Sequence, residues 1–155
     1  MTKPKMVRTA REKEIIALME HASQKTLVIW AADCAERVLP IFEHHFLEDR
    51  RPRDAIAAAR AWAGGQLRVS QVRFFALASH AAARDAAGQE AAQAAARAAG
   101  HAVATAHVPR HALGAVLYGL AAIRDSSPSS EVSQLIDQEN VWQLNHLKDL
   151  AEGTV

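Results

Sequence analysis

Between Arg73 and Tyr118 an alanine-rich background carries Arg73, His80, Arg84, Arg97, His101, Thr105, His107, His111 and Tyr118 at near-helical intervals. Imidazoles can move protons or ligate a metal, and guanidinium groups recognise carboxylates, so this is where chemistry or a polar core would concentrate. Arg73, His80 and Arg84 are seven and four residues apart, which puts them on one helical face within ~20° of rotation. Glu90, Arg97 and His101 repeat those intervals, so a hairpin of the two segments would set acid and base partners against the first stripe. The stripes are either solvated faces with weak intrahelical pairs or a partly buried network.

His107 and His111 are four apart, a spacing that can present two imidazoles to one metal on a helix. Pro109 lies between them and no Glu follows His107, so the zinc-protease pattern is not met. Capping, core hydrogen bonding and a partner or ligand contact are the alternatives to metal. Thr105 can return its hydroxyl to a backbone carbonyl, and Tyr118 reads as a core aromatic with a polar edge. In the first half, Asp33 and Glu36 can pair with Arg37, Arg53 or Arg60. Arg53 and Arg60, one heptad apart, form a basic edge suited to carboxylates. Cys34, the lone cysteine, falls on an apolar stripe and reads as a buried thiol. With no Gly-rich phosphate loop and no Gly-x-Ser-x-Gly elbow, the reading assigns no catalytic residue, cofactor or metal. The twelve residues Asp33, Glu36, Arg53, Arg60, Arg73, His80, Arg84, His101, Thr105, His107, His111 and Tyr118 are instead candidates for partner binding or a polar network.

The elements that must position these groups are helices. Strand patterning is absent, half of the 155 residues are apolar by type and only 5% are aromatic, so closely packed helices with small side chains are expected. A first helix reads as Thr9 to Glu20, with Ile15, Ile16, Leu18 and Met19 as its apolar face. A second starts at Thr26 as cap and should kink or restart between Glu36 and Pro40. Pro52 to Trp62, Ser70 to Ala87, with Val72, Phe75, Leu77 and Ala83 apolar, Gln89 to Thr105 and His111 to Arg124 follow. Residues 125–130 are a Ser/Pro loop, and Ser130 can cap a final helix. The expected architecture is all-α, a compact bundle of about seven helices in mostly antiparallel hairpins. It forms one domain over residues 1–155 with a flexible start at 1–8. Eighteen Lys and Arg against 17 Asp and Glu give a net charge of +1, which argues against a dedicated nucleic-acid binder. No apolar run spans a bilayer and one cysteine suits a reducing compartment, so the cytoplasm is the expected location.

The segment from Trp30 to Pro40, then Arg51 to Ile56 with Ala59-Arg60-Ala61-Trp62, then Ala98 to Val108 followed by His111 to Ala115, resembles the Imm-five-like family of bacterial toxin immunity proteins in order and approximate spacing, over roughly residues 25–124. The resemblance implies a small all-helical cytoplasmic protein that protects its producer by binding a cognate toxin, without catalytic turnover. Members are sometimes labelled exonuclease-like, but the nucleotide-binding loop and long coiled coil of such an enzyme are missing here. Inhibitors of nuclease toxins often present acidic surfaces, whereas this chain is nearly neutral, so the toxin class stays open. Two other readings stand beside it. One is a helical enzyme or small-ligand or metal-binding module built on the His/Arg cluster of residues 80–111. The other is a homodimer paired through the final helix.

Overall fold

The computed structural model describes residues 5–153; the start of the expected flexible segment, residues 1–4, lies outside the described residues. The described residues form seven helices and no strand: α1 (Glu12–His21), α2 (Gln24–His45), α3 (Arg51–Ala63), α4 (Val69–Asp85), α5 (Glu90–Ala104), α6 (His111–Ser126) and α7 (Val132–Ala151). The fold is all-α, as the periodicity implies. Within residues 5–8, the Val7 amide donates to the Leu117 carbonyl at 3.3 Å, and Met6 and Val7 pack on the core.

The alanine tract decides the architecture. Ala92, Ala94, Ala95, Ala96, Ala98, Ala99 and Ala102 are all buried, so α5 is enclosed on almost every side and packs against α2, α3, α4 and α6. A helix clad in methyl groups lets four neighbours approach closely. Larger residues fill the space between the outer helices, with Trp30, Phe42, Leu117, Leu120 and Leu147 fully buried. The last helix is fastened by polar groups. The Trp30 indole N–H donates to the Gln143 carbonyl at 2.8 Å, and the Gln143 amide donates to the Val116 carbonyl at 3.2 Å. Each would leave an unpaired polar atom in the core if lost.

Several local expectations shift. Ser23, not Thr26, caps α2, accepting from the Thr26 amide at 3.1 Å. The helix neither stops nor restarts at Pro40. The hydrogen bond that Pro40 cannot donate would have gone to the Glu36 carbonyl, and both residues are exposed, so water can serve that carbonyl. Ser130 does not cap α7: the N-cap is Glu131, with no side-chain bond to the helix. On α4, Leu77 is not on the core face but is 61% exposed, and on α1 Ile16 is 37% exposed.

Candidate functional site

Two polar assemblies collect most of the candidate residues. In the first, α4, α5 and α6 bring His80, Arg97, His101, His111 and Tyr118 together. The Arg97 guanidinium donates to His80 Nδ1 at 2.9 Å, so that nitrogen is the unprotonated one and the ring proton sits on Nε2. His101 Nδ1 lies 3.2 Å from His111 Nδ1, one nitrogen donating and the other accepting. The His101 ring meets His80 edge-on with centroids 5.2 Å apart and stacks on Tyr118 at 5.3 Å.

Two glycines make this possible. A Cβ on Gly100 would stand 2.7 Å from His80 Cε1, and one on Gly114 would stand 2.5 Å from His101 Nδ1. Glycine inside a helix lowers its stability by up to ~1 kcal/mol relative to alanine, and here the missing methyl is the seat of an imidazole. At Gly114 the close approach allowed by small residues is that of a single ring rather than of a whole helix.

Burial pushes His80 down to about 4, helped by the neighbouring Arg97 charge. Burial, then the adjacent His80, pushes His101 to about 4 as well. His111 is lowered by burial and by His107 beside it. At neutral pH the three imidazoles are therefore uncharged beside the charged Arg97, and they are hydrogen-bonded and stacked side chains rather than general acids. An open cleft of about 290 Å³ reaches His101 and His111 from outside, with Arg8, Val108 and Arg110 on its walls. Among the described residues no group of three or more His, Cys, Asp or Glu is placed to hold a metal ion.

The second assembly ties α2 to α3 and α7. Asp33 accepts from Arg60 at 2.8 Å through one oxygen and faces His146 Nε2 at 2.8 Å through the other. Glu36 also accepts from Arg60. Next to them Arg37 grips Glu139 through two bonds of 2.5 and 2.9 Å and lies 3.9 Å above the Trp142 ring, which stacks on His146. Cys34 lies just inside, 1% exposed, its thiol pushed up by burial and by the carboxylates of Glu139 and Asp33. A thiol so shielded stays protonated.

The other candidates are scattered. Arg53 pairs with Glu43 on the outer edge of α3. Thr105 is buried and returns its hydroxyl to the His101 carbonyl at 2.9 Å. His107 is partly buried, and its Nε2 has no hydrogen-bond partner among the described residues. Arg73 and Arg84 lie exposed on α4. Sequence reasoning passed over His146 and read Trp142 only as an apolar residue of the final helix, although their spacing of four residues on α7 was a usable signal. It also passed over Phe74, 69% exposed beside a half-buried Phe75; two adjacent aromatics on a helix cannot both face the core.

A family model described as "Imm-5 like putative immunity protein" matches residues 17–150. Among curated proteins and among solved structures nothing matches the chain.

Proposed function

The chain belongs to the Imm-5-like family of immunity proteins, and from that membership we propose that it neutralises a cognate bacterial toxin by binding it directly, one to one, without turnover. The observation that carries this reading is the family match over residues 17–150. The site geometry supports it. The histidine cluster is neutral, interlocked and seated on glycines, which suits a rigid scaffold better than a proton-transfer centre. Asp33, Glu36, Arg53 and Arg60 are engaged with each other or with Glu43 and His146, so they hold helices in place before they could hold a partner. No helix among the described residues is long and apolar enough to cross a membrane. We place the encounter in the producer's cytoplasm.

The test is a titration. Each candidate toxin domain found in the neighbourhood of this protein's gene is assayed against rising amounts of the purified chain. A binder lowers its activity linearly to an endpoint at about one equivalent, with a complex of matching mass by light scattering. Inactivation by a few hundredths of an equivalent would make the chain an enzyme. Unchanged toxicity of every candidate at excess, with no complex, would end the immunity reading.

A further inference from the structure

The near-neutral net charge conceals an uneven distribution. Residues 55–124 contain seven arginines and no lysine, against Asp85 and Glu90 as the only acids. Asp85 is taken by Arg51 at 2.9 Å, and Glu90 stands near Arg124, whose charged form it favours. Away from α4 several arginines sit on carboxylates, as Arg37 does on Glu139, Arg53 on Glu43 and Arg60 on Asp33. Arg97 donates to His80 instead, and Arg68 and Arg110 are exposed with no carboxylate within ion-pair distance among the described residues. On α4 neither arginine sits on one. Arg73 and Arg84 have no carboxylate within ion-pair distance among the described residues, although Arg84 is close enough to Arg97 to disfavour its charge, after burial. Like charges left facing each other at a surface favour an anionic visitor.

The same helix face is apolar between the charges. Phe74 is 69% and Leu77 61% exposed, the largest exposures of any sizeable apolar side chain on a helix here. Arg73, Phe74, Leu77 and Arg84 fall within about 100° of rotation. Phe74 meets Phe75 edge-on at 5.5 Å, and Phe75 borders an alanine-lined groove of about 250 Å³ between α3 and α4. An exposed aromatic and arginines around an apolar centre are the composition of an interface hot spot, and single exposed apolar residues need no such account.

Resting on the toxin-binding reading above, we propose that the outer face of α4, centred on Phe74 and Leu77 and flanked by Arg73 and Arg84, is the surface that docks the toxin, and that it fits an acidic protein surface with an apolar pocket. A second copy of this chain is a poor occupant, because two-fold pairing of α4 would bring arginines against arginines. Nucleic acid would use the charge but leave Leu77 without a role.

The experiment uses the full chain and the toxin domain that the titration above identifies, inactivated by an active-site substitution. Binding is measured by calorimetry at two salt concentrations for the wild type, Phe74→Ala, the pair Arg73→Glu with Arg84→Glu, and, as a control on another helix, the exposed Lys13→Glu of α1. Because all four positions are exposed, the variants should keep the wild-type helical content, checked by circular dichroism. Phe74→Ala should weaken binding at least about tenfold. The double reversal should weaken it more and remove most of the salt dependence, with Lys13→Glu unchanged. Hydrogen exchange on the wild-type complex should show new protection over residues 69–85. A toxin bound as tightly by the α4 variants as by the wild type overturns the docking face and leaves the immunity reading intact. A wild type that does not bind overturns both. An α4 face that instead mediates self-association, or binds single-stranded RNA in place of the toxin, overturns the proposal as well.

Discussion

Gly114→Ala should destabilise the protein, although helix propensity alone says the opposite. Alanine in a helix interior is worth up to ~1 kcal/mol over glycine. At this position the new Cβ would stand 2.5 Å from His101 Nδ1 and 2.7 Å from its Cγ, about 1 Å inside normal van der Waals contact. The ring has no easy retreat. Tyr118 stacks on it at 5.3 Å, His80 abuts it at 5.2 Å, and Nδ1 is bonded to His111 at 3.2 Å. Overpacking of this kind costs about 1–3 kcal/mol, and moving the imidazole forfeits a hydrogen bond of roughly 1 kcal/mol. After the propensity gain is subtracted, a net loss of about 1–3 kcal/mol remains. For a chain of this length that lowers Tm by about 5 °C.

Gly119 supplies the comparison within the same helix, since a Cβ there would meet only the Gln143 side-chain nitrogen, at 3.6 Å. Gly119→Ala should therefore be neutral or stabilising by up to ~1 kcal/mol. Urea denaturation followed at 222 nm measures both. The seat argument also demands a reversal: in a His101→Ala background the clash disappears, and Gly114→Ala should then stabilise. If Gly114→Ala raises the urea midpoint as Gly119→Ala does, or if its sign is the same with and without His101, the imidazole does not occupy that space and the cluster geometry is wrong.

The cluster also predicts acid sensitivity. His80 and His101, held near 4 by burial, refuse a proton that the unfolded chain accepts below about 6.5. Stability is then complete above pH 6.5 and falls as the pH drops toward 4. The loss at pH 5 is at most ~2 kcal/mol per ring and roughly half that once partial exposure is allowed for. Urea midpoints between pH 7.5 and 5 measure it, and His101→Gln should flatten the slope; a midpoint unchanged over that range would show the rings are not buried neutral. Asp33→Asn keeps the shape but removes the charge that Arg60 and His146 share, so it should lower stability by about 1 kcal/mol, with the unfolding free energy as readout and no change as the contrary result. Trp30→Phe leaves the Gln143 carbonyl without its indole donor in the core; a loss of about 1.5–3 kcal/mol is expected by denaturation, and a loss under ~0.5 kcal/mol would mean that water replaces it.

The helices were legible because alanine runs, apolar stripes and Gly or Pro breaks act locally. The end of α5 and the start of α6 lie within a residue of where the sequence puts them. Caps were less so: Ser23 and Thr26 are both competent, and only the path of the chain before α2 selects Ser23. The histidine cluster was half legible. The spacing on α4 and α5 set the stripes side by side, but nothing local distinguishes Gly100 as a seat for His80 from Gly100 as a weak point in a helix. That distinction belongs to a ring arriving from α4, 20 residues earlier in the chain. Asp33 shows the same limit. Its pairing with Arg60 was among the options open to the sequence, while its other partner, His146, lies 113 residues away on a helix the candidate set did not include.

Net charge left the partner's class open, and the reason is physical. A sum over the chain counts every carboxylate as available to every cation, whereas folding assigns partners by proximity. Here the acids of α2 and the connection that follows it are matched to the arginines of α3, as Glu43 is to Arg53 and Asp49 to Arg51, and Glu139 of α7 is matched to Arg37. Their charges cancel where they stand and contribute little field at α4. Of the arginines with no carboxylate within ion-pair distance among the described residues, Arg73 and Arg84 share their helix with the exposed Phe74 and Leu77. A count of +1 therefore does not exclude an acidic partner.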